Sequence, residues 1–203
     1  ILVILIQSFL SGTTKSYNQE LFKKRYIKSL MENVTDWQLA NPKHRPNDWT
    51  NGAFYAGVFS AWETTKSKDI YQSLLNMGNE MRWQPNKRWY HADDIAICQT
   101  YIDLYKREKR HEMIQPTIDT LDLFLAGSYP TKGNIDIIKW WWCDALFMAP
   151  PTLVKMGMLT GNMEYLKHND ICFRECYDLL YDQSEKLFAR DLNYIPRQDG
   201  TGR

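Results

Sequence analysis

The chain has 203 residues, enough for one sizeable core, and nothing in its length calls for two domains. Lys and Arg total 25 against 24 Asp and Glu, a net charge of +1, and apart from short clusters at 22–26 and 106–111 the basic residues are scattered. No concentrated basic face is offered to nucleic acid, and the 14% aromatic content suits either a heavy core or a sugar site where ring faces meet C–H faces.

In chain order, residues 1–16 (ILVILIQSFLSGTTKS) hold an apolar run too short for a membrane span. The run has the length of a secretory-signal core, so the segment is expected to be the remnant of an export signal and its linker. A buried strand is the alternative. The expectation is an exported protein, periplasmic or extracellular, without stable membrane insertion, whose residues 17–203 are the N-terminal part of its main domain. Four cysteines (Cys98, Cys143, Cys172, Cys176) are too few for a disulfide framework, and Cys172 and Cys176 lack a paired second motif. Partly buried free thiols are expected, with no metal site and no cofactor.

From 17 to 39 apolar residues repeat at three and four (Leu21, Phe22, Tyr26, Ile27, Leu30, Met31, Val34, Trp37), predicting an amphipathic helix that NPKHRPND ends. Three helical pairs follow. NGAFYAGVFSAWETT precedes a polar-faced helix over 69–82, DDIAICQTYIDLYKREK precedes HEMIQPTIDTLDLFLAG, and DALFMAPPTLVKMGMLTG precedes NMEYLKHNDICFRECYDLLYD. The first member of each pair is rich in small residues and poor in charge, the second carries charge on one face. Inner and outer helices of stacked or ring-closed hairpins are expected. Strand signals are confined to KLFARDLNYI near the end. Met77, Met81, Met148, Met156 and Met158 are spaced as core fillers.

The loops entering the three inner helices read RPNDWTNG, KRWYHADD and DIIKWWWCD, so Trp and Asp recur at equivalent helix ends. If the hairpins close into a ring, these ends meet at one mouth. Three consecutive tryptophans cannot all be buried by one helix face, so at least one of Trp140, Trp141 and Trp142 is expected to face a cavity, ligand or solvent. Asp144 beside them has two readings. It caps the next helix, or it is an acid/base whose carboxyl the tryptophans dry and whose proton affinity a neighbouring carboxylate, Asp93 or Asp94, raises. HADD (91–94) reads likewise as a capping cluster or a site, and Trp49 as an outer packing residue or a sugar platform.

The runs WWWCDALFMAPP, HADDIAICQTYIDLY and NDWTNGAFYAGVFSAWE together resemble the unsaturated rhamnogalacturonyl hydrolases, glycoside hydrolase family 105, kin of the unsaturated glucuronyl hydrolases of family 88, from about Tyr17 onward. The resemblance implies an all-α (α/α)6 barrel, only the N-terminal part of which is expected in this chain, because family members are longer. It implies a hydrolase acting in pectin degradation on an unsaturated oligosaccharide. The enzyme would hydrate the C4=C5 bond of the terminal uronic acid, for example on rhamnogalacturonan fragments. Asp144 would be the central acid/base, Asp93 the second acid with Asp94 possible by one position, and Trp142 the site tryptophan. Trp141, His91 and Trp49 are expected to help bind substrate, as is Arg190, which together with Asp191 stands where many relatives place a histidine. Two rival functions fit the same residues: another inverting glycosidase on that barrel, and a carbohydrate-binding protein without turnover.

Overall fold

The computed structural model describes residues 20–127 and 140–195. The expected export signal (1–16), the residues before Trp140 in the third loop and the last eight residues lie outside the described residues. The described chain is helical apart from its turns and one small hairpin of strands, as the periodicity predicts. Among the described residues no helix is long and apolar enough to cross a membrane. The chain divides into two compact units, residues 1–43 with 57–74 and residues 44–56 with 75–203, and helices α2 (Trp49–Thr65) and α3 (Lys68–Glu80) contribute to both.

In the first unit α1 (Lys24–Ala40) carries the expected apolar stripe, and Ile27, Leu30, Val34 and Trp37 on it are exposed. The far end of α2 packs Trp62 against Phe59 (5.3 Å between ring centroids) and Tyr71 (4.7 Å). Lys66 takes a left-handed conformation (φ 62°) that stops α2 and sets its ammonium 5.0 Å from the Trp62 ring centre. Ser67 Oγ then accepts from Ile70 N–H at 3.4 Å, and Ile70 and Leu74 are buried.

The second unit holds two complete helical hairpins. Each inner helix, expected as one piece, is broken one turn from its start. The first is α4 (Ala92–Ile95) followed by α5 (Cys98–Glu108), and the second is α7 (Ala145–Met148) followed by α8 (Pro150–Thr160). Pro150, without an N–H and with a ring that clashes with a preceding turn, accounts for the second break. The first break lies where α2 comes closest: a side-chain carbon on Gly52 would stand 3.1 Å from Ile97 N and 3.2 Å from the Ala96 methyl. Thr152 Oγ of α8 donates to the Ile95 carbonyl at 3.0 Å.

The outer helices α6 (Gln115–Ala126) and α9 (Glu164–Leu180) pack against each other and α9 against its inner partner α8. Lys109 and Gly161, both at positive φ, close α5 and α8 and turn the chain outward. The core lies between these helices: Ile95, Tyr101, Ile102, Leu104, Leu121, Phe124, Leu153 and Met156 are almost wholly buried, each apolar side chain contributing roughly 1.5–3 kcal/mol of burial. Met77 and Met148 are buried as predicted, whereas Met158 is exposed, on the side of α8 away from that core. All four cysteines are free thiols, three buried and Cys143 half-buried. A two-residue hairpin, β1 (Tyr181–Asp182) with β2 (Leu187–Phe188), follows α9, and Asp182 Oδ1 accepts the Ser184 and Glu185 N–H groups across its turn.

Candidate active site

The short turns α4 and α7 pack against each other, and they carry Asp93 and Asp144. This packing brings two acids from different hairpins close enough for the Asp144 charge to act on Asp93, and Asp93 lines a cleft. Its lining is His91, Ala92, Asp93, Trp140, Trp141, Trp142 and Ala145, around a narrow space of about 10 Å³.

The tryptophans lie in an extended segment rather than on a helix, with Trp142 forming a bridge to Asp191. Trp140 is buried and stacks on Phe124 (6.2 Å, 28°), while Trp141 and Trp142 stay half-buried with their rings 4.8 Å apart. Trp140 thus serves the core at the floor of the cleft while Trp141 and Trp142 stay partly exposed, as the run of three required of at least one.

Asp144 precedes α7, and its side chain makes no capping hydrogen bond; only its carbonyl is used, accepting from Phe147 N–H at 2.9 Å and Met148 N–H at 3.1 Å. Capping does not explain this acid. Its side is exposed, so the dry carboxyl expected at Asp144 is not there. It is at Asp93. Burial pushes the Asp93 carboxyl up to about 6; the Asp144 charge pushes the same way, the Arg88 guanidinium opposes, and Asp94 and Asp48 add to the rise.

Asp94, the expected alternative to Asp93, faces the other way. It is 1% exposed, and Arg88 holds it through its backbone N–H (2.8 Å), Nε (3.1 Å) and Nη2 (2.5 Å). This is a buried structural ion pair, and it fixes the loop from which Asp93 projects. The same guanidinium lies 3.8 Å from Asp93, which is how one arginine positions one acid and restrains the proton affinity of the other. His91 closes the start of α4: its Nδ1 accepts from the Asp93 N–H at 3.3 Å, which leaves Nε2 as the protonated nitrogen. Burial, with Arg88 beside it, lowers the imidazole's proton affinity against the pull of Asp94 and Asp144, so His91 is neutral near pH 7.

Arg190 reaches the site from the end of the chain, because Cys143 N–H donates to its carbonyl at 2.9 Å. Its guanidinium lies 4.7 Å from the Trp142 ring centre and 4.4 Å from that of Tyr194, with Nε donating to Asp191 at 2.8 Å. Asp191 is fully buried and also accepts from the Asn193 N–H at 2.8 Å. The arginine is held flat by two rings and one carboxylate, leaving the far nitrogens of a planar fork for a ligand. Trp49, expected to bind substrate, is exposed at the start of α2 and does not line the cleft; its neighbour Asp48 is turned inward to cap α2 through the Thr50 N–H (3.2 Å) and hydroxyl (2.8 Å). Sequence reasoning missed Arg88 and Tyr194. The signal for Arg88 was an arginine ahead of paired acids in KRWYHADD; for Tyr194 no signal preceded the arginine's placement. Among the described residues no group of His, Cys, Asp and Glu is arranged to hold a metal ion.

A helical-hairpin scaffold with two neighbouring carboxylates, paired tryptophans and a ring-held arginine defines the class as carbohydrate-active hairpin proteins. Residues 17–203 match Glycosyl Hydrolase Family 88, and the chain belongs to that family. It is 36% identical over 204 residues to an unsaturated 3S-rhamnoglycuronyl hydrolase of Formosa agariphila, a match covering 96% of this chain and 54% of that protein. The chain spans about half the length of the curated relatives it matches. Solved structures with the same fold include a glycosyl hydrolase family 88 protein of Bacteroides vulgatus (23% identity, TM-score 0.71, 86% of this chain and 53% of that one). Others are a possible GH105 member from Salmonella enterica (17%, 0.67, 83% and 52%) and a protein titled a polysaccharide lyase (22%, 0.73, 85% and 51%). The family 105 and 88 kinship expected from the motifs is borne out, and the fold is that of an all-α (α/α)6 barrel, this chain covering about half the length of its structural relatives.

Proposed function

We propose that the full-length protein is an exported hydrolase that removes a 4,5-unsaturated uronic acid from the non-reducing end of an oligosaccharide. The observation that carries this reading is the neighbouring pair Asp93 and Asp144, one half-buried in the cleft with its proton affinity raised and one solvent-exposed beside it. Raised to about 6 by burial and by the Asp144 charge, the Asp93 carboxyl exchanges its proton close to neutral pH and supplies it to Asp144. Asp144, at the open side, delivers that proton to C4 of the alkene and takes another from the water that attacks C5; Asp93 holds the water and balances the charge. The C5 hemiketal then opens to a C5 ketone, leaving C1 as a hemiacetal that collapses to an aldehyde and releases the leaving sugar as its alcohol, so no side-chain nucleophile is needed. Trp141 and Trp142 supply ring faces for the flat unsaturated sugar, Arg190 meets its carboxylate, and His91 donates from Nε2.

The motifs point to rhamnogalacturonan fragments of pectin as substrate, and the name of the Formosa relative, an unsaturated 3S-rhamnoglycuronyl hydrolase, favours an unsaturated rhamnoglycuronyl group. An inverting glycosidase would use the same two acids on an intact sugar. Reaction in deuterium oxide separates the two: hydration places one deuterium on C4 of the released acid, displacement at the anomeric carbon places none.

A further inference from the structure

A second cavity, of about 540 Å³, lies outside the cleft, between the 45–47 and 80–89 segments and Thr120 and Leu123 of α6; its charged lining is Arg45, Glu80, Arg82 and Lys87. Its size is that of a ligand site for a sugar residue. Three cations meet one carboxylate there, and among the described residues the side chains of Arg45, Arg82 and Lys87 are exposed and make no ion pair, although this chain pairs many of its other surface charges. Unpaired like charges gathered on one wall repel each other, and an anion relieves that repulsion.

The groove shares its two loops with the active site. In the first, Asn47 lines the groove while the next residue, Asp48, acts on Asp93. In the second, Lys87 and Trp89 line the groove while Arg88 between them turns inward to Asp94. Asn47 ties the loops together, its amide donating to the Pro85 carbonyl at 3.3 Å, and the Tyr101 hydroxyl donates to the neighbouring Gln84 carbonyl at 3.3 Å. Arg82 is held at φ 52° by the turn that ends α3, so its position is set by backbone rather than by a partner. The two sites are thus built from adjacent residues of the same two loops.

We propose that this groove binds an anionic sugar residue of the same oligosaccharide, distal to the acid pair, with its sulfate ester or carboxylate against Arg45, Arg82 and Lys87 and its ring against Trp89. The proposal rests on the reading that the protein acts on oligosaccharides, but not on turnover. It is tested by calorimetric titration of the full-length protein with saturated rhamnose–uronate oligosaccharides, which have no alkene to hydrate, in sulfated, desulfated and carboxyl-reduced forms. The Arg82→Gln/Lys87→Gln variant, changed only at exposed side chains, is expected to bind the charged probes about tenfold more weakly, equivalent to ~1.4 kcal/mol. Which of desulfation and carboxyl reduction costs the wild type the same factor identifies the anion. Equal affinity of variant and wild type for both charged probes overturns the groove, as does a wild type indifferent to both modifications. Absence of alkene hydration with groove-dependent binding intact would instead remove the proposed activity and leave the groove.

Discussion

Replacing Asp93 by Asn is expected to stabilise the protein at neutral pH while removing its activity. The carboxyl's affinity for its proton rises from 3.8 to about 6 on folding, so the folded state holds the proton more tightly than the unfolded chain does. Below pH 3.8 the group is neutral in both states and contributes nothing; as pH rises through that value the unfolded chain ionises first, and above about 6 the folded protein bears the whole penalty. At about 1.36 kcal/mol per pH unit the rise corresponds to about 3 kcal/mol, and the remaining exposure of the side chain reduces the expected gain to about 2 kcal/mol. An amide is neutral throughout. Urea unfolding of full-length wild type and Asp93→Asn at about pH 4 and about pH 8 should therefore show nearly equal stability at the first and the variant ahead by about 2 kcal/mol at the second. A difference that does not change with pH, or a variant that loses ground as pH rises, would refute the account of a desolvated acid held beside Asp144.

Arg88→Ala removes the guanidinium from a buried carboxylate and leaves Asp94 only the backbone N–H. Losing one partner of a buried pair costs ~3–5 kcal/mol, and because Arg88 is 45% exposed water can enter, so a loss of about 2–3 kcal/mol is expected in denaturant unfolding. The same variant should move the activity limb governed by Asp93 to higher pH, since the one group opposing the rise is gone; an unmoved limb would detach Arg88 from Asp93. Arg190→Ala should raise KM about tenfold with kcat held, the signature of lost ground-state binding, and Arg190→Lys should recover little because a point charge lacks the flat fork. Unchanged KM in Arg190→Ala excludes the arginine as the carboxylate's partner.

The helices were readable because their apolar residues repeat at three and four and because small residues mark the inner members of each pair. The break at Pro150 was also written locally. The break at Ala96–Ile97 was not, since it goes with the approach of Gly52, which is distant in sequence. The tryptophan run could be read as partly exposed on geometry alone, yet its extended form follows from pairing with Asp191 at the far end of the chain. Which of Asp93 and Asp94 faces the cleft was undecidable because the choice is made by Arg88, whose role shows only once the loop folds. The dry acid was assigned to Asp144 from the tryptophans beside it in sequence. Dryness is a property of packing, and the packed element is α4, so it falls on Asp93 instead.

The measurement that tests the central claim most directly is the ultraviolet absorbance of an unsaturated galacturonyl-rhamnose disaccharide on addition of the full-length protein, beside its Asp144→Asn variant. The account predicts that wild type abolishes the alkene absorbance while releasing rhamnose, and that Asp144→Asn does neither. An alkene that persists while rhamnose is released, or a variant as active as wild type, would contradict it.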